Sequence, residues 1–306
     1  MTGVQTCALP ISIGVVKKYK HFQLGPIDLN LEPGSATGLL GANGAGKTTL
    51  LNCLAGQMRP NEGEIRWMRE EISLKNWRVR DHIGFVTEYP SLYENLTASD
   101  HLLFVSNIFS NWDHEFAATW LERFQLPPGQ KIKEYSKGMK VKLSILIAIS
   151  HRADLLLLDE PTSGLDPDTR FEIQGHLREL VASKDVCLLL SSHLFEDIEN
   201  AATDVKIISG GKITHEFPLE DLDDYVYAES SGLEDPLDSD TMEHPDLIPV
   251  FTWRKGSGKC LLFRKGDATQ IKDSKRFTGL RKARLEDIYF GTQAAQQKIN
   301  KKMEFD

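Results

Sequence analysis

Residues Ala36–Ala55 read ATGLLGANGAGKTTLLNCLA, and the fold of the chain is decided there. A short apolar run (Thr37, Leu39, Leu40) gives way to a glycine-rich loop, Gly41-Ala42-Asn43-Gly44-Ala45-Gly46. The loop opens into Lys47-Thr48-Thr49 and then into Leu50, Leu51, Leu54 and Ala55 at helical spacing. The pattern is strand, phosphate-binding loop, helix, with the spacing G-x-x-x-x-G-K-[ST] intact. Glycines let consecutive backbone N–H groups turn inward around an anion without Cβ clashes, and the helix N-terminus adds partial positive charge. Lys47 is placed to reach the β- and γ-phosphates of a nucleoside triphosphate, and the Thr48 hydroxyl to ligate Mg²⁺.

Outward from this loop the chain alternates strands and helices. Ile27-Asp28-Leu29-Asn30-Leu31 alternates strictly and predicts an antiparallel strand with one wet face, followed by a turn over Glu32–Ser35. Arg59–Gly63 is a further turn and Glu64–Trp67 a short strand. Ile83–Val86 is a buried strand ending at Thr87-Glu88. Helical periodicity runs from about Ala98 to Phe124 and is closed by Pro127-Pro128-Gly129. A helix starts at Ser136, with Met139, Leu143, Leu146 and Ile147 on one stripe. Four leucines, Leu155–Leu158, apolar on both faces, suit a central strand of a parallel sheet and end at Asp159-Glu160. Asp168–Ala182 is a helix, Val186–Ser191 a buried strand and Ile198–Ala202 a short helix. Val205–Ile208 and Lys212–Thr214 flank Gly210-Gly211 as a hairpin. The expected class is α/β: a P-loop cassette with a mainly parallel sheet, antiparallel N-terminal strands and a helical insertion over about 89–152.

From Glu220 the character changes. Glu220–Asp246 holds eleven Asp or Glu and Arg254–Arg284 eleven Lys or Arg, two blocks expected to face each other or water. Phe251–Trp253 and Leu261–Phe263 around Gly256-Ser257-Gly258 predict a hairpin, and Arg284–Phe290 a last helix. The expected organisation is therefore a core domain over 12–217 and a small α+β appendage over 218–306. At the other end, Met1–Ile11 (MTGVQTCALPI) resembles the translation of a sequencing-library adapter joined in frame, and is set aside from fold reasoning.

Composition narrows the classes. The 306 residues carry a net charge of -8, which argues against general nucleic-acid binding. No apolar run reaches bilayer-spanning length. The four cysteines, at 7, 53, 187 and 260, have no metal-ligand spacing and suit reduced, intracellular thiols.

The candidate chemistry lies at strand ends. Asp159 suits a Mg²⁺ contact through water and Glu160 a base for the attacking water. Gly164-Leu165-Asp166 follows shortly after. His193 ends the Leu188–Ser191 strand, where open α/β sheets bind ligands. Tyr135-Ser136-Lys137-Gly138-Met139-Lys140 precedes the leucine strand by about twenty residues.

In order and spacing these motifs resemble the nucleotide-binding subunit of an ATP-binding cassette (ABC) transporter, over about Ser12–Phe217. The resemblance implies an ATPase that powers a separate membrane permease through ATP-driven dimerisation of two cassettes, as a homodimer. Such a subunit is cytoplasmic and peripheral on the inner face of the membrane. The roles it implies are these: Tyr19 stacks on adenine; Gly41, Asn43, Gly44, Ala45, Gly46, Lys47, Thr48 and Thr49 cradle the phosphates; Thr48, Glu88 and Asp159 serve Mg²⁺; Glu160 is the base; His193 contacts the γ-phosphate. Asp166 would lie at the dimer seam, and Ser136 and Gly138 would complete the site of the opposite subunit. Tyr89 and Tyr93 would face the permease, with local packing an equal reading for Tyr93.

Two motifs depart from the family pattern. Lys137 and Met139 stand where the signature Leu-Ser-Gly-Gly-Gln has glycine and glutamine, and Lys137 either adds a cation near the phosphate or points to solvent. Glu88 stands where the family has glutamine. Both departures, with Ala283–Ile288, resemble the bacterial exporter subgroup that includes bacitracin-type exporters. The competing reading is a non-transport ABC ATPase acting on ribosomes or nucleic acid; a single P-loop and no sustained heptads favour transport.

Overall fold

The computed structural model describes residues 11–32, 34–67, 70–71, 81–182, 186–230, 249–255, 258–267 and 277–303. The adapter-like segment to residue 10, Pro33 of the expected turn, residues 231–246 of the acidic block, Gly256-Ser257 of the hairpin turn and residues 268–276 of the basic block lie outside the described residues. The chain divides into two compact units, Met1–Glu216 and Phe217–Asp306.

The first unit is built on two sheets. In one, β1 (Ile11–Lys18) lies between β2 (Gln23–Asn30) and β4 (Glu62–Trp67), antiparallel to both, with the two-residue β5 (Glu70–Glu71) outside β4. The alternation seen in the sequence sets the pleat of β2: Leu24, Ile27 and Leu29 are buried while Asp28 and Asn30 are exposed. The other sheet has the order β10-β9-β3-β8-β7-β6. Its members are β3 (Ala36–Leu40), β6 (Ile83–Val86), β7 (Leu155–Asp159), β8 (Cys187–Ser192), β9 (Asp204–Ser209) and β10 (Lys212–Pro218). From β9 to β6 the strands run parallel. The leucine strand β7 is covered on both faces, as its composition requires, and is buried along its whole length.

Register puts the chemistry on one edge. Leu40 pairs with Ser192, Asp159 with Ser191, and Val86 with Leu158. The residues that follow these strands, Gly41, Glu160, His193 and Glu88, therefore emerge together at the carboxyl edge of the sheet. Beneath that edge, α1 (Lys47–Leu54) packs Leu50, Leu51 and Leu54 onto Leu39, Leu155, Leu157 and Leu189 in one buried cluster.

The helical insertion differs from its sequence pattern. The periodic stretch 98–124 is two helices, α2 (Ala98–Ser106) and α3 (His114–Arg123). Asp113 ends the run between them: its carboxylate accepts the Phe116 N–H at 2.9 Å and starts α3 afresh. Then α4 (Lys137–Ser150) begins at Ser136, whose hydroxyl accepts the Met139 N–H at 3.2 Å. Its apolar face is wider than the expected stripe, because Val141, Ile145, Ala148 and Ile149 are buried alongside Leu143 and Leu146. The first unit closes with α5 (Pro167–Ala182) and α6 (Phe195–Ala201).

The second unit is an antiparallel sheet of order β12-β13-β11-β14, formed by β11 (Tyr225–Ser230), β12 (Phe251–Lys255), β13 (Gly258–Arg264) and β14 (Thr278–Lys282). The last helix, α7 (Leu285–Met303), runs well past the expected end. Ala228, Leu261 and Phe263 form a core with Phe277 and Leu280 packed against it. Among the described residues one pair links the two charged blocks, Lys282 with Asp223. Among the described residues no helix is long and apolar enough to cross a membrane, and Cys53, Cys187 and Cys260 are free and buried.

Candidate active site

The loop between β3 and α1 is shaped by its glycines. A Cβ on Gly41 would lie 2.5 Å from the Ile208 carbonyl oxygen, so nothing larger fits. Gly44 (φ +79°) and Gly46 (φ +111°) occupy backbone space that side chains disfavour. Space differs between them: a Cβ on Gly46 would press on Leu24 at 2.9 Å, while one on Gly44 would meet nothing within 4 Å. Gly46 caps α1 without a side-chain hydrogen bond. The first-turn N–H groups of α1 thus lack a side-chain acceptor at the cap and suit an anion.

Lys47, the first residue of α1, is buried. Its ammonium donates to the Gly41 carbonyl at 2.7 Å and lies 3.1 Å from Glu160 Oε1. Glu160 adopts a left-handed backbone, φ +50°, immediately after β7. Its N–H donates to the Ser191 carbonyl and approaches the Ser191 hydroxyl, each at 3.1 Å. This turn swings the carboxylate back across the sheet edge. Oε2 sits 2.7 Å from His193 Nδ1; Oε1 is buried and, apart from the Lys47 ion pair, has no hydrogen-bond partner. The His193 side chain remains 39% exposed. Asp159 is buried and accepts the Ser191 hydroxyl at 2.7 Å. Lys47, Asp159, Glu160 and His193, predicted from three separate stretches, are one cluster.

The remaining predicted residues take other places. Thr48 and Asn43 are exposed on the loop and first turn, Thr49 is half-buried and Ala45 buried. Tyr19, 45% exposed, lies in the β1–β2 turn, its ring 6.3 Å from that of Phe22 and its hydroxyl on Met58 Sδ. Phe22 in turn abuts Gly46, which brings this aromatic turn to the P-loop. Glu88 lies two residues past β6 and engages the Tyr89 hydroxyl, pushing that phenol up. Tyr89 is 74% exposed; Tyr93, 57% exposed, also packs edge-on against Phe104 and His101. Asp166 caps α5: it accepts the Thr169 N–H at 2.9 Å and hydroxyl at 2.7 Å, bonds that hold its carboxyl below the usual range.

Lys137 is exposed and also makes a contact within the chain that neither expectation named. Its ammonium donates to the Ser163 carbonyl at 2.5 Å and lies against Gly164, tying the start of α4 to the loop that leads from Glu160 to Asp166. Gly138 serves the same junction, since a Cβ there would lie 2.6 Å from the Thr169 methyl.

Sequence reasoning missed a buried polar layer beneath the cluster. Besides Ser191 it contains Ser192, Thr162, Gln174 and Asp197, each at most 2% exposed. The legible signal was two serines ending an otherwise apolar strand: a hydroxyl kept at a buried strand end has a partner to satisfy.

The residues present fit a Mg²⁺-nucleoside triphosphate. An open glycine cradle at a helix N-terminus, a buried cation and a buried carboxylate oxygen lacking a hydrogen bond converge on one edge. Among the described residues there is no group of three or more His, Cys, Asp or Glu that would cage a metal by itself.

Residues 24–163 match the family model described as ABC transporter. The bacitracin transport ATP-binding protein BcrA of Bacillus licheniformis is 33% identical over 223 residues, covering 72% of this chain and 71% of that protein. The daunorubicin/doxorubicin resistance ATP-binding protein DrrA of Streptomyces peucetius is 33% identical over 209 residues, covering 66% and 63%. Among solved structures, the ATP-binding subunit of an ABC transporter superposes with a TM-score of 0.63 at 27% identity, over 70% of this chain and 91% of that one. A dimeric cassette solved in a post-hydrolysis state with ADP and Pi shares the fold, with a TM-score of 0.63 at 23% identity over 69% and 98%.

Proposed function

Because the chain belongs to the ABC transporter family of ATP-binding proteins, we propose that it is the ATPase subunit of a membrane exporter, working as a closing and reopening dimer. The observation that carries the catalytic part is the Glu160 carboxylate, held on one oxygen by His193 and presented on the other beside Lys47. In this reading Gly41–Thr49 and the α1 N-terminus bind the triphosphate, and Lys47 neutralises its β- and γ-phosphates. Thr48 and Asp159 would hold Mg²⁺, with Glu88 the third candidate, and the ion there would supply neutralising charge for the phosphates. Glu160 Oε1 takes a proton from the attacking water while Oε2 stays fixed on His193.

Ser136 caps α4, Lys137 and Gly138 meet the 163–169 stretch, and this N-terminal helix end is the element offered to a second cassette's nucleotide. A separate permease is the partner, with exposed Tyr89 a candidate anchor. The names of two relatives, bacitracin transport and daunorubicin/doxorubicin resistance, support export as the direction.

The test is Glu160→Gln in the full chain. Phosphate release should fall at least a hundredfold while Mg-ATP still binds, and size-exclusion chromatography with Mg-ATP should show a dimer. Monomer alone, with nucleotide bound, would remove the dimer from the proposal. Lys47→Ala should abolish nucleotide binding; unchanged affinity would show the P-loop reading to be wrong.

A further inference from the structure

We propose that Asp197 is a positioning residue for the ATPase reaction: one buried carboxylate clamps the loop after Glu160 to the turn bearing His193, and thereby sets the Glu160–His193 pair. The inference rests on the ATPase reading above.

Asp197 stands in the first turn of α6 and is 1% exposed. Its Oδ2 accepts two hydroxyls, from Thr162 at 2.6 Å and Ser192 at 2.9 Å; its Oδ1 accepts the Gln174 side-chain amide at 2.8 Å. Arg170 Nε lies 3.8 Å from the same Oδ1, outside hydrogen-bond reach, and its backbone N–H donates to the Asp166 carbonyl at 3.0 Å. Three separate segments thus end on one side chain: Thr162 from the loop two residues past Glu160, Ser192 from the end of β8 immediately before His193, and Gln174 from α5.

The choice of residue type is informative. A buried carboxylate is costly unless its oxygens are fully bonded. It offers two acceptor oxygens and no donor, so it takes three donors from three elements at once. An amide of the same shape can keep Gln174 on its oxygen, but its NH2 then faces the two hydroxyls, whose protons lose their shared acceptor, while Ser192 Oγ already accepts the Leu194 N–H.

Adjacent residues divide the work. Ser191 grips Asp159 through its hydroxyl, Ser192 grips Asp197, and His193 grips Glu160. Ser192 Oγ also accepts the Leu194 N–H at 3.0 Å, so the hydroxyl that binds Asp197 shapes the His193 turn itself. Cutting the Asp197 clamp leaves the Ser191–Asp159 bond and the P-loop intact, and frees the loop and the turn to move relative to each other. The expected signature is therefore a loss in turnover and not in nucleotide binding, because small misplacements of a catalytic pair cost rate steeply.

The experiment compares Asp197→Asn, Thr162→Val and the double variant with the unaltered full chain, by phosphate release and by Mg-ATP binding stoichiometry. Asp197→Asn should lower kcat at least tenfold with KM within twofold and one ATP bound per chain. Thr162→Val, which keeps shape and removes one arm, should lower kcat severalfold, and the double variant should be no slower than Asp197→Asn. If Asp197→Asn does not fold, Thr162→Val alone decides. A kcat within twofold of the parent, losses that multiply in the double variant, or loss of ATP binding in step with kcat would overturn the proposal. Glu160→Gln is run alongside: if it turns over normally, the ATPase assignment has failed, whereas an inactive Glu160→Gln beside a fully active Asp197→Asn sinks the clamp alone.

Discussion

Glu160 and the P-loop glycines show how individual residues set this site. A glutamate at φ +50° carries strain of about 1–3 kcal/mol, and two bonds from its N–H toward Ser191 hold it there. Without that turn the side chain would continue along the strand and miss both Lys47 and His193. The glycines separate space from conformation. Gly44→Ala has room but a positive φ, so it should cost about 1 kcal/mol of stability and place a methyl in the phosphate cradle. Gly41→Ala instead meets the Ile208 carbonyl at 2.5 Å and should destabilise by more. Urea melts of the two variants check the order, and Mg-ATP titration should find binding weakened in Gly44→Ala although its fold is kept. An equal or reversed ranking in the melts would mean that the loop relaxes around Gly41. The glycine spacing was legible because backbone conformation dictates residue type there. The Asp197 layer was not, since no sequence spacing announces hydroxyls from different elements meeting one carboxylate.

At the scale of elements, the helical insertion carries a built-in acid sensitivity. His101 in α2 and His151 at the end of α4 are 3% and 1% exposed, and burial pushes both below the ordinary histidine range. His151 stacks on Phe109 with ring centroids 4.0 Å apart and bonds the Ile147 carbonyl through Nδ1 at 3.2 Å. For such groups the unfolded chain binds more protons than the native one, so stability rises with pH. Their contribution is complete above the unfolded value of about 6.5 and is lost as pH falls through it toward the depressed native values. Urea midpoints should therefore drop between pH 7.5 and 5.5, and His151→Phe should flatten part of that slope; an unchanged slope in the variant would assign the sensitivity elsewhere. The neighbouring junction makes a separate prediction. Lys137→Met removes the bond to Ser163, a charge-assisted contact at an exposed site worth about 1 kcal/mol at most. Amide exchange over 163–166 should quicken while the protection of β7 is unchanged. The break of the 98–124 pattern into two helices was hard to foresee, because apolar periodicity continues through a cap whose effect is local. Tertiary reach, from Lys137 to a carbonyl 26 positions away, leaves still less trace in the sequence.

Over the whole molecule, the division into two units was signalled by the shift from leucine-rich strands to the opposed acidic and basic blocks. The identity of the second unit's sheet was less legible, since only the Phe251–Trp253 and Leu261–Phe263 pattern announced it. Each unit has its own buried cluster, and every predicted nucleotide contact belongs to the first. This distribution makes ligand linkage selective. Mg-ATP at about a hundred times its Kd should stabilise whatever cooperative unit contains Gly41–Thr49 by about 2.7 kcal/mol. Calorimetry of a hydrolysis-deficient Glu160→Gln chain is the way to see this, because the nucleotide then persists through the scan. Two separate transitions should appear, and ligand should move the one belonging to residues up to Glu216 while leaving the other in place. A chain melting in one transition that shifts as a whole would show the units to be energetically coupled, with the second unit then able to modulate nucleotide affinity by reciprocity.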